Sequence, residues 1–379
     1  MMRFADVSFY HNRGENDPGK IILRHSTNLE YVNYLSEGCR CVVIKFMDGA
    51  ADFYEKTVRF VFFTPSRWKY FPGYELTFLR KFRPDIVLVH GFIYPLQVIA
   101  LKWKLGKQTK IICQHHGEIP PIGFRSWPLR LADHLIDGYF FASSSQAVSW
   151  REKKIFGRSK PVFDVITGST NFFALSQSDS KKFLHIRSPQ MFLWVGRLNA
   201  NKDPLTAVHG FARYARANPA AVLYMIFQTE EILQEVTADI ALLQVSKNII
   251  LIGKVEYEQL QRWYSAADYF LSCSHREACG YSLIEAMACG CLPVVTDIPS
   301  FRVLTSNGTL GQLFEPGNPE ALKKAIENAV LKRCVILREQ ITAHFSEHLS
   351  FSAIARQMET AFRKLVRNTG ARAGDLSAE

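Results

Sequence analysis

The 379-residue chain is predicted to be an α/β protein of two doubly wound domains. Three observations carry this. Short apolar, β-rich runs alternate with helically spaced stretches almost throughout. Those runs are apolar nearly without interruption, as parallel strands covered on both faces must be. A polar stretch, 168–189, divides the alternation into two blocks, each of ordinary domain size. In the first block the strand candidates are 4–9, 41–46, 58–63, 85–90, 110–114, 138–142 and 162–166; in the second they are 191–196, 221–227, 249–253, 269–272 and 292–296. Helical spacing fills the gaps, for example at 204–216 and 256–267, and continues after the last strand at 319–330, 334–344 and 351–367. Ser176-Gln177-Ser178-Asp179-Ser180-Lys181-Lys182 reads as the centre of a linker. The expected boundaries are 1–170, 171–350, a last helix at 351–368 that packs back toward the first domain, and a disordered tail at 369–379.

Bulk properties narrow the classes. Apolar residues make up 47% of the chain, a fraction that supports a substantial core. No window approaches the ~20 apolar residues a spanning helix needs. The first residues carry neither a basic n-region nor an apolar h-region, so a cytoplasmic location is expected. Eight cysteines, several in apolar runs, read as reduced core thiols, and Cys289-Gly290-Cys291 lacks a second ligand pair for zinc. Net charge is +11 and uneven. Residues 1–170 hold 24 Lys and Arg against 15 Asp and Glu (+9), and the remainder 22 against 20 (+2). A basic first half suits an anionic membrane surface, giving a peripheral place at the inner face of the cell membrane. Nucleic acid is excluded as a partner, since no zinc finger, RRM core or clear helix-turn-helix pattern is present. Within 56–83, Arg67, Lys69, Arg80, Lys81 and Arg83 interleave with Trp68, Tyr70, Phe71, Tyr74, Phe78 and Phe82. Such a stretch can lie on lipid, but more often its apolar face belongs to the core.

Two segments carry chemistry. The strand ending at Gly196 runs through Arg197-Leu198-Asn199-Ala200-Asn201-Lys202-Asp203 to Pro204, a residue suited to a helix start. Arg197 and Lys202 then stand beside a helix N-terminus, where a guanidinium fork, an ammonium and free amides stabilise a diphosphate. The second segment is Glu277-Ala278-Cys279-Gly280-Tyr281-Ser282-Leu283-Ile284-Glu285, a strand end passing through a glycine turn into a helix. The amides around Gly280, Tyr281 and Ser282 offer a second anion site. Glu277 can bind sugar hydroxyls and Glu285 a ribose diol. Because open α/β sheets bind ligands outside the carboxyl ends of their strands, two such domains facing across a cleft suit an enzyme holding a donor on one wall and an acceptor on the other.

The second half, from Phe192 to about Ile326, resembles the donor-binding domain of GT-B glycosyltransferases, and in particular glycosyltransferase family 4, retaining enzymes that use nucleotide sugars. The resemblance rests on Val195-Gly196-Arg197-Leu198, Lys202 and Pro204; on Leu251-Ile252-Gly253-Lys254-Val255; on Ala266-Ala267-Asp268 with Phe270-Leu271 and Ser274; and on Glu277, Glu285-Ala286-Met287-Ala288, Gly290 and Pro293-Val294-Val295. It implies that Gly196, Arg197 and Lys202 meet the diphosphate, Glu277 the transferred sugar and Glu285 the ribose. Lys254 and Val255 would contact the base. The first half is similar to the family's acceptor domain at 84–90, 111–117 and 139–145, and His116, before Gly117, is implied to lie near the reacting sugar. His90 reads as a locally packed or hydrogen-bonded residue. Family members usually carry a Gly-Gly pair after the first strand; here the glycines of 11–20 are isolated, and Gly19 stands nearest that role.

The implied activity is transfer of a sugar from a nucleotide diphosphate sugar to a hydroxyl acceptor, a glycan or lipid-linked glycan of cell-surface polysaccharide synthesis, with the anomeric configuration retained. No metal or other cofactor is expected, and closure over the donor would exclude water. A phosphorylase-like enzyme of the same fold and a non-catalytic nucleotide-sugar-binding protein are the alternatives. A Rossmann dehydrogenase is disfavoured, because no G-x-G-x-x-G follows a strand.

Overall fold

In the computed structural model, which describes residues 1–65, 74–332 and 336–374, the chain divides into two compact units. Unit 1 is Met1–Gly168 together with Phe351–Glu379, and unit 2 is Ser169–Ser350.

Unit 2 is a six-stranded, wholly parallel sheet in the order β11-β10-β9-β12-β13-β14. Its strands are β9 (Gln190–Gly196), β10 (Ala221–Phe227), β11 (Ile249–Gly253), β12 (Tyr269–Ser272), β13 (Leu292–Thr296) and β14 (Gln312–Phe314). The first three strands progress outward from β9 and the last three outward from β12, so the winding reverses between these two neighbours. Phe192, Leu193, Trp194, Phe270 and Leu271 on that central pair are buried, which is why both strands read as unbroken apolar runs. Pro204 starts the helix Pro204–Ala217, and Gly290, at φ +80°, ends Tyr281–Ala288.

Unit 1 is an eight-stranded sheet in the order β3-β4-β2-β1-β5-β6-β7-β8, parallel except for the β3–β4 pair. These strands are β1 (Met2–Asn12), β2 (Cys39–Met47), β3 (Ala51–Glu55), β4 (Val58–Phe63), β5 (Ile86–His90), β6 (Lys110–Gln114), β7 (Gly138–Phe141) and β8 (Val162–Asp164). Here the winding reverses between β1 and β5. The helix Phe351–Gly374 belongs to this unit: Phe362 stacks on Phe4 and Phe140 at 5.3 and 6.3 Å between ring centroids. It runs beyond 368 to Gly374, into the stretch expected to be disordered; residues 375–379 lie outside the described residues.

Two differences from the sequence reading have clear causes. The polar stretch 176–182 is not a simple linker, because Gln177–Phe183 is a helix. Ser176 caps it and Lys181 and Gln177 bind Asp268, so its stability comes from tertiary partners rather than an apolar stripe. The edge strand β3 escaped notice since its alternating, largely exposed residues carry no apolar run. Of the basic-aromatic segment, Arg67, Trp68, Lys69, Tyr70 and Phe71 lie outside the described residues. The helix Tyr74–Phe82 buries Leu76 and Leu79 and stacks Phe78 on Phe82.

At the end of the first stretch of unit 1 the backbone of Gly168 touches that of Thr27 so closely that a Cβ would sit 2.0 Å from the Thr27 carbonyl oxygen. Backbone cannot retreat as a side chain can. Gly168→Ala is expected to cost ~3 kcal/mol or more of stability, read as a lower urea midpoint.

Candidate functional site

The reversal between β9 and β12 brings the loops after these strands side by side, although 75 residues separate Lys202 from Glu277. Several bonds join them. His275 N–H donates to the Asn201 carbonyl at 2.9 Å, Asn201 Nδ2 donates to the Arg276 carbonyl at 3.0 Å, and His275 Nε2 lies 3.1 Å from Asp203 Oδ2. Lys202 Nζ pairs directly with Glu277 Oε1, both side chains largely shielded. The loop after β10 joins in, where Thr229 Oγ1 accepts from the Leu198 amide at 3.1 Å. Arg197 is exposed; its carbonyl accepts from the Asn199 amide at 2.9 Å, and its guanidinium has no hydrogen-bond or ion-pair partner among the described residues. Lys254 is exposed and Val255 half-buried just past β11.

Glycine is favoured at one position and required at another. A Cβ on Gly196 would come within 3.1–3.2 Å of the Trp194 ring. Gly280 sits at φ +86°, and a Cβ there would lie 2.7 Å from Phe301. The sequence suggested two open helix ends for an anion; only one of them is free of side-chain capping. Asp203 accepts from the Thr206 amide at 3.1 Å and from its hydroxyl at 2.7 Å, closing the Pro204 helix. The helix Tyr281–Ala288 begins at Gly280 with no side-chain cap, which leaves its first turn as the anion-facing end.

Glu285 is buried in that helix, where the Tyr264 hydroxyl donates to its Oε2 at 2.9 Å. Burial raises its pKa to about 7, against the opposing hydrogen bonds of Tyr264 and Tyr257.

In unit 1 a second polar group forms at the β1/β5 reversal. Asp6, fully buried in β1, accepts from the Tyr31 hydroxyl and from His90 Nε2 at 2.7 Å, and His90 Nδ1 lies 3.0 Å from His116 Nε2. Burial opposes the Asp6 charge, but His90, Lys45 and Tyr31 outweigh it and hold the carboxyl below its ordinary value. Burial, then the neighbouring His90 and His115, drive His116 down to about 3, so its ring is neutral at physiological pH. With Asp6 ionised, His90 must donate through Nε2. If His90 is neutral its Nδ1 accepts, His116 donates through Nε2, and His116 Nδ1 carries a lone pair; a proton added to His90 reverses this and makes His116 Nδ1–H a donor. The local hydrogen bonding expected of His90 is therefore a link from Asp6 to His116. The Gly19 amide is already engaged by Asp17 Oδ1 at 2.8 Å, as the cap of the helix Pro18–Arg24.

Sequence reasoning passed over Asn201, Asp203, Thr229 and His275, whose partners lie tens of residues away. Asp6 and Lys45 had a usable signal: each is a lone charge inside an apolar strand.

Comparison with known proteins places this geometry. Residues 176–344 match the family model described as glycosyl transferases group 1. A D-inositol 3-phosphate glycosyltransferase of Segniliparus rotundus is 26% identical over 185 residues, covering 48% of this chain and 41% of that protein. A mannosylfructose-phosphate synthase of Agrobacterium fabrum is 32% identical over 114 residues, 28% of this chain and 25% of that protein. The alignments thus span less than half of these curated relatives. Among solved structures, a glycosyltransferase from Rickettsia africae superposes with a TM-score of 0.72 at 14% identity, covering 97% of this chain and 99% of that one. Anabaena Alr3699/HepE in complex with UDP gives 0.72 at 15% identity, covering 96% and 100%. The fold is GT-B. Among the described residues no helix is long and apolar enough to cross a membrane.

The raised Glu285 value has a thermodynamic consequence. The native state keeps this proton where the unfolded chain, at about 4.5, has lost it. The resulting stabilisation is complete below pH 4.5 and is lost as pH rises to about 7, on the order of 3 kcal/mol. Glu285→Gln retains an acceptor for Tyr264 and removes the titration. Urea unfolding from pH 5 to 8 is expected to show the variant gaining roughly 2–3 kcal/mol on wild type; parallel curves would place the Glu285 proton elsewhere.

Proposed function

We propose that the chain is a retaining glycosyltransferase that moves a sugar from a nucleotide diphosphate sugar to a hydroxyl acceptor, a glycan or lipid-linked glycan of cell-surface polysaccharide synthesis. One observation carries the reading. Arg197, Lys202, Glu277 and an uncapped helix N-terminus converge at the carboxyl end of the β9–β12 pair, the place where open α/β sheets take nucleotides. The group 1 match over 176–344 and the UDP complex of the Anabaena neighbour support it. The family resemblance supports retention and independence of metal, and the +9 balance of residues 1–170 suits peripheral contact with an anionic membrane.

Each residue has a task in this reading. Without donor, Lys202 and Glu277 neutralise one another. An arriving diphosphate is the stronger partner for Lys202, which then serves the phosphates together with Arg197 and the amides at Tyr281 and Ser282. Glu277 is released toward the hydroxyls of the transferred sugar. As the anomeric carbon–oxygen bond breaks, negative charge grows on the departing diphosphate, and these fixed donors stabilise it without reorganising. Gly196 and Gly280 let the backbone approach, Lys254 and Val255 meet the base, and Glu285 meets the ribose. The resemblance supports a place for His116 near the reacting sugar, and for Gly19 in the loop close to the donor, where Asp17 holds its amide.

The division of labour is testable. Calorimetry with UDP, GDP and ADP and their sugar conjugates is expected to show uptake of one series. Lys202→Ala should weaken both the free nucleotide and its sugar conjugate, whereas Glu277→Ala should keep the nucleotide and lose affinity for the conjugate. Turnover should fall by about 10²-fold or more in each, with urea midpoints near wild type. Equal loss of both ligands in the two variants would contradict the assignment. Activity is expected to persist in EDTA; strict dependence on added divalent cation would refute the metal-independent mechanism. Donor dependence, with no turnover on a sugar 1-phosphate or on inorganic phosphate, separates this activity from a phosphorylase.

A further inference from the structure

Lys45 lies near the end of β2 with only 5% of its surface exposed. Buried lysines are rare unless paired, yet the Lys45 ammonium has no hydrogen bond and no ion pair within 4.0 Å among the described residues. Burial lowers the Lys45 pKa, and Asp6, on the same face of the neighbouring strand through the Asp6–Val43 register, opposes that by attracting the ammonium through space. The Oδ2 of Asp6 is committed to Tyr31 and His90. Lys45 instead helps line an open pocket of about 210 Å³ at the carboxyl ends of β1, β2 and β5. The remaining polar wall offers the hydroxyls of Ser8 and Tyr10 as donors, beside the rings of His116 and His25, the latter holding Asn12 Oδ1 through Nε2 at 3.2 Å. Burial and then the Lys45 charge hold His25 at about 4, hence neutral. The one acid in the lining, Glu118, is spent on the Phe92 and His116 amides at 2.9 and 2.7 Å.

We infer that this pocket receives an anionic group, a carboxylate or a phosphate, carried by the acceptor, with Lys45 as its counter-charge. An isolated ammonium costs desolvation that no residue around it offsets at contact distance, and a site retaining that cost is one whose partner arrives from outside. A neutral glycan hydroxyl would not require it. The inference rests on unit 1 being the acceptor half of the proposed enzyme, and it narrows the acceptor from any hydroxyl compound to one bearing a negative charge close to the reacting hydroxyl.

Full-length wild type, Lys45→Met and Lys45→Gln would be titrated by calorimetry with inorganic phosphate, glucose 6-phosphate, glucuronate and uncharged glucose, and separately with the nucleotide that binds wild type. Wild type is expected to bind at least one anion and to bind glucose at least tenfold more weakly. Both variants should lose anion affinity at least tenfold while keeping nucleotide affinity. Binding of phosphate and glucose 6-phosphate identifies a phosphorylated acceptor, and binding of glucuronate alone a carboxylated one. Anion binding equal in wild type and variants, or none in wild type that takes up nucleotide, overturns the site and leaves the donor reading intact. Anion binding without any nucleotide uptake does the reverse. Should both variants fail to fold, the Lys45 Cε resonance of wild type must shift on addition of the bound anion; a resonance that stays still overturns the site.

Discussion

The reversal of strand order between β9 and β12 is the constraint on which unit 2 depends. Each βα connection leaves toward its own edge of the sheet, so no crossover covers the carboxyl ends of this central pair. Two loops distant in sequence are thereby left facing one another. Their polar contacts, Lys202 with Glu277 and Asn201 with His275 and Arg276, follow from that placement. The apolar core then sets their shape. The Trp194 ring fills the space where Gly196 would carry a Cβ, and Phe301 does the same at Gly280. The packing beneath the loops favours glycine at 196 and demands it at 280, and the same absence of Cβ atoms leaves the backbone open to a ligand above.

The charged groups of the two units are handled in different ways. Lys202 and Glu277 neutralise each other as a direct, largely shielded pair, which an arriving diphosphate must replace with an equal or stronger partner for Lys202. Glu285 is withdrawn from water, which raises its pKa to about 7, so the helix carrying the site holds less than a full negative charge at its centre near neutral pH. Asp6 keeps its charge because His90 and Tyr31 satisfy one oxygen and the Lys45 ammonium stands nearby. Among these buried groups of the described residues, the Lys45 ammonium lacks a contact partner. A carboxylate held by two direct hydrogen bonds beside an ammonium compensated only through space, by that same carboxylate, is an asymmetry that packing alone does not require.

Fold class was readable because it depends on local pattern. Unbroken apolar strands and regularly spaced helices need no knowledge of the rest of the chain, and the glycine and proline positions at 196, 204, 280 and 290 mark turns through backbone geometry. What escaped the sequence depends on distant partners. The helix Gln177–Phe183 looks like a linker until Asp268 is known to hold Gln177 and Lys181. The bonds of Asn201 and His275 span about seventy residues. His90 looked like a local contact, and only the sheet reveals that it joins Asp6 to His116. The loop after β1 was compared with a glycine pair, but what the fold uses there is the Asp17 carboxylate on the Gly19 amide.

The contrast between the two helix ends in unit 2 bears on how such a site selects where charge accumulates. Both helices start at the carboxyl end of the central strands, and each contributes the partial positive charge of its N-terminal end. Asp203 cancels this at the Pro204 helix, while it also lies 3.1 Å from His275 and helps fix the loop that presents Lys202. Gly280 supplies no side chain, so the amides of the second helix keep their field. An anion meeting two equal ends could settle between them in several poses. One closed end and one open end leave a single focus beside Lys202 and Arg197, and a single focus is what a reaction needs if the charge it stabilises must appear on one particular oxygen.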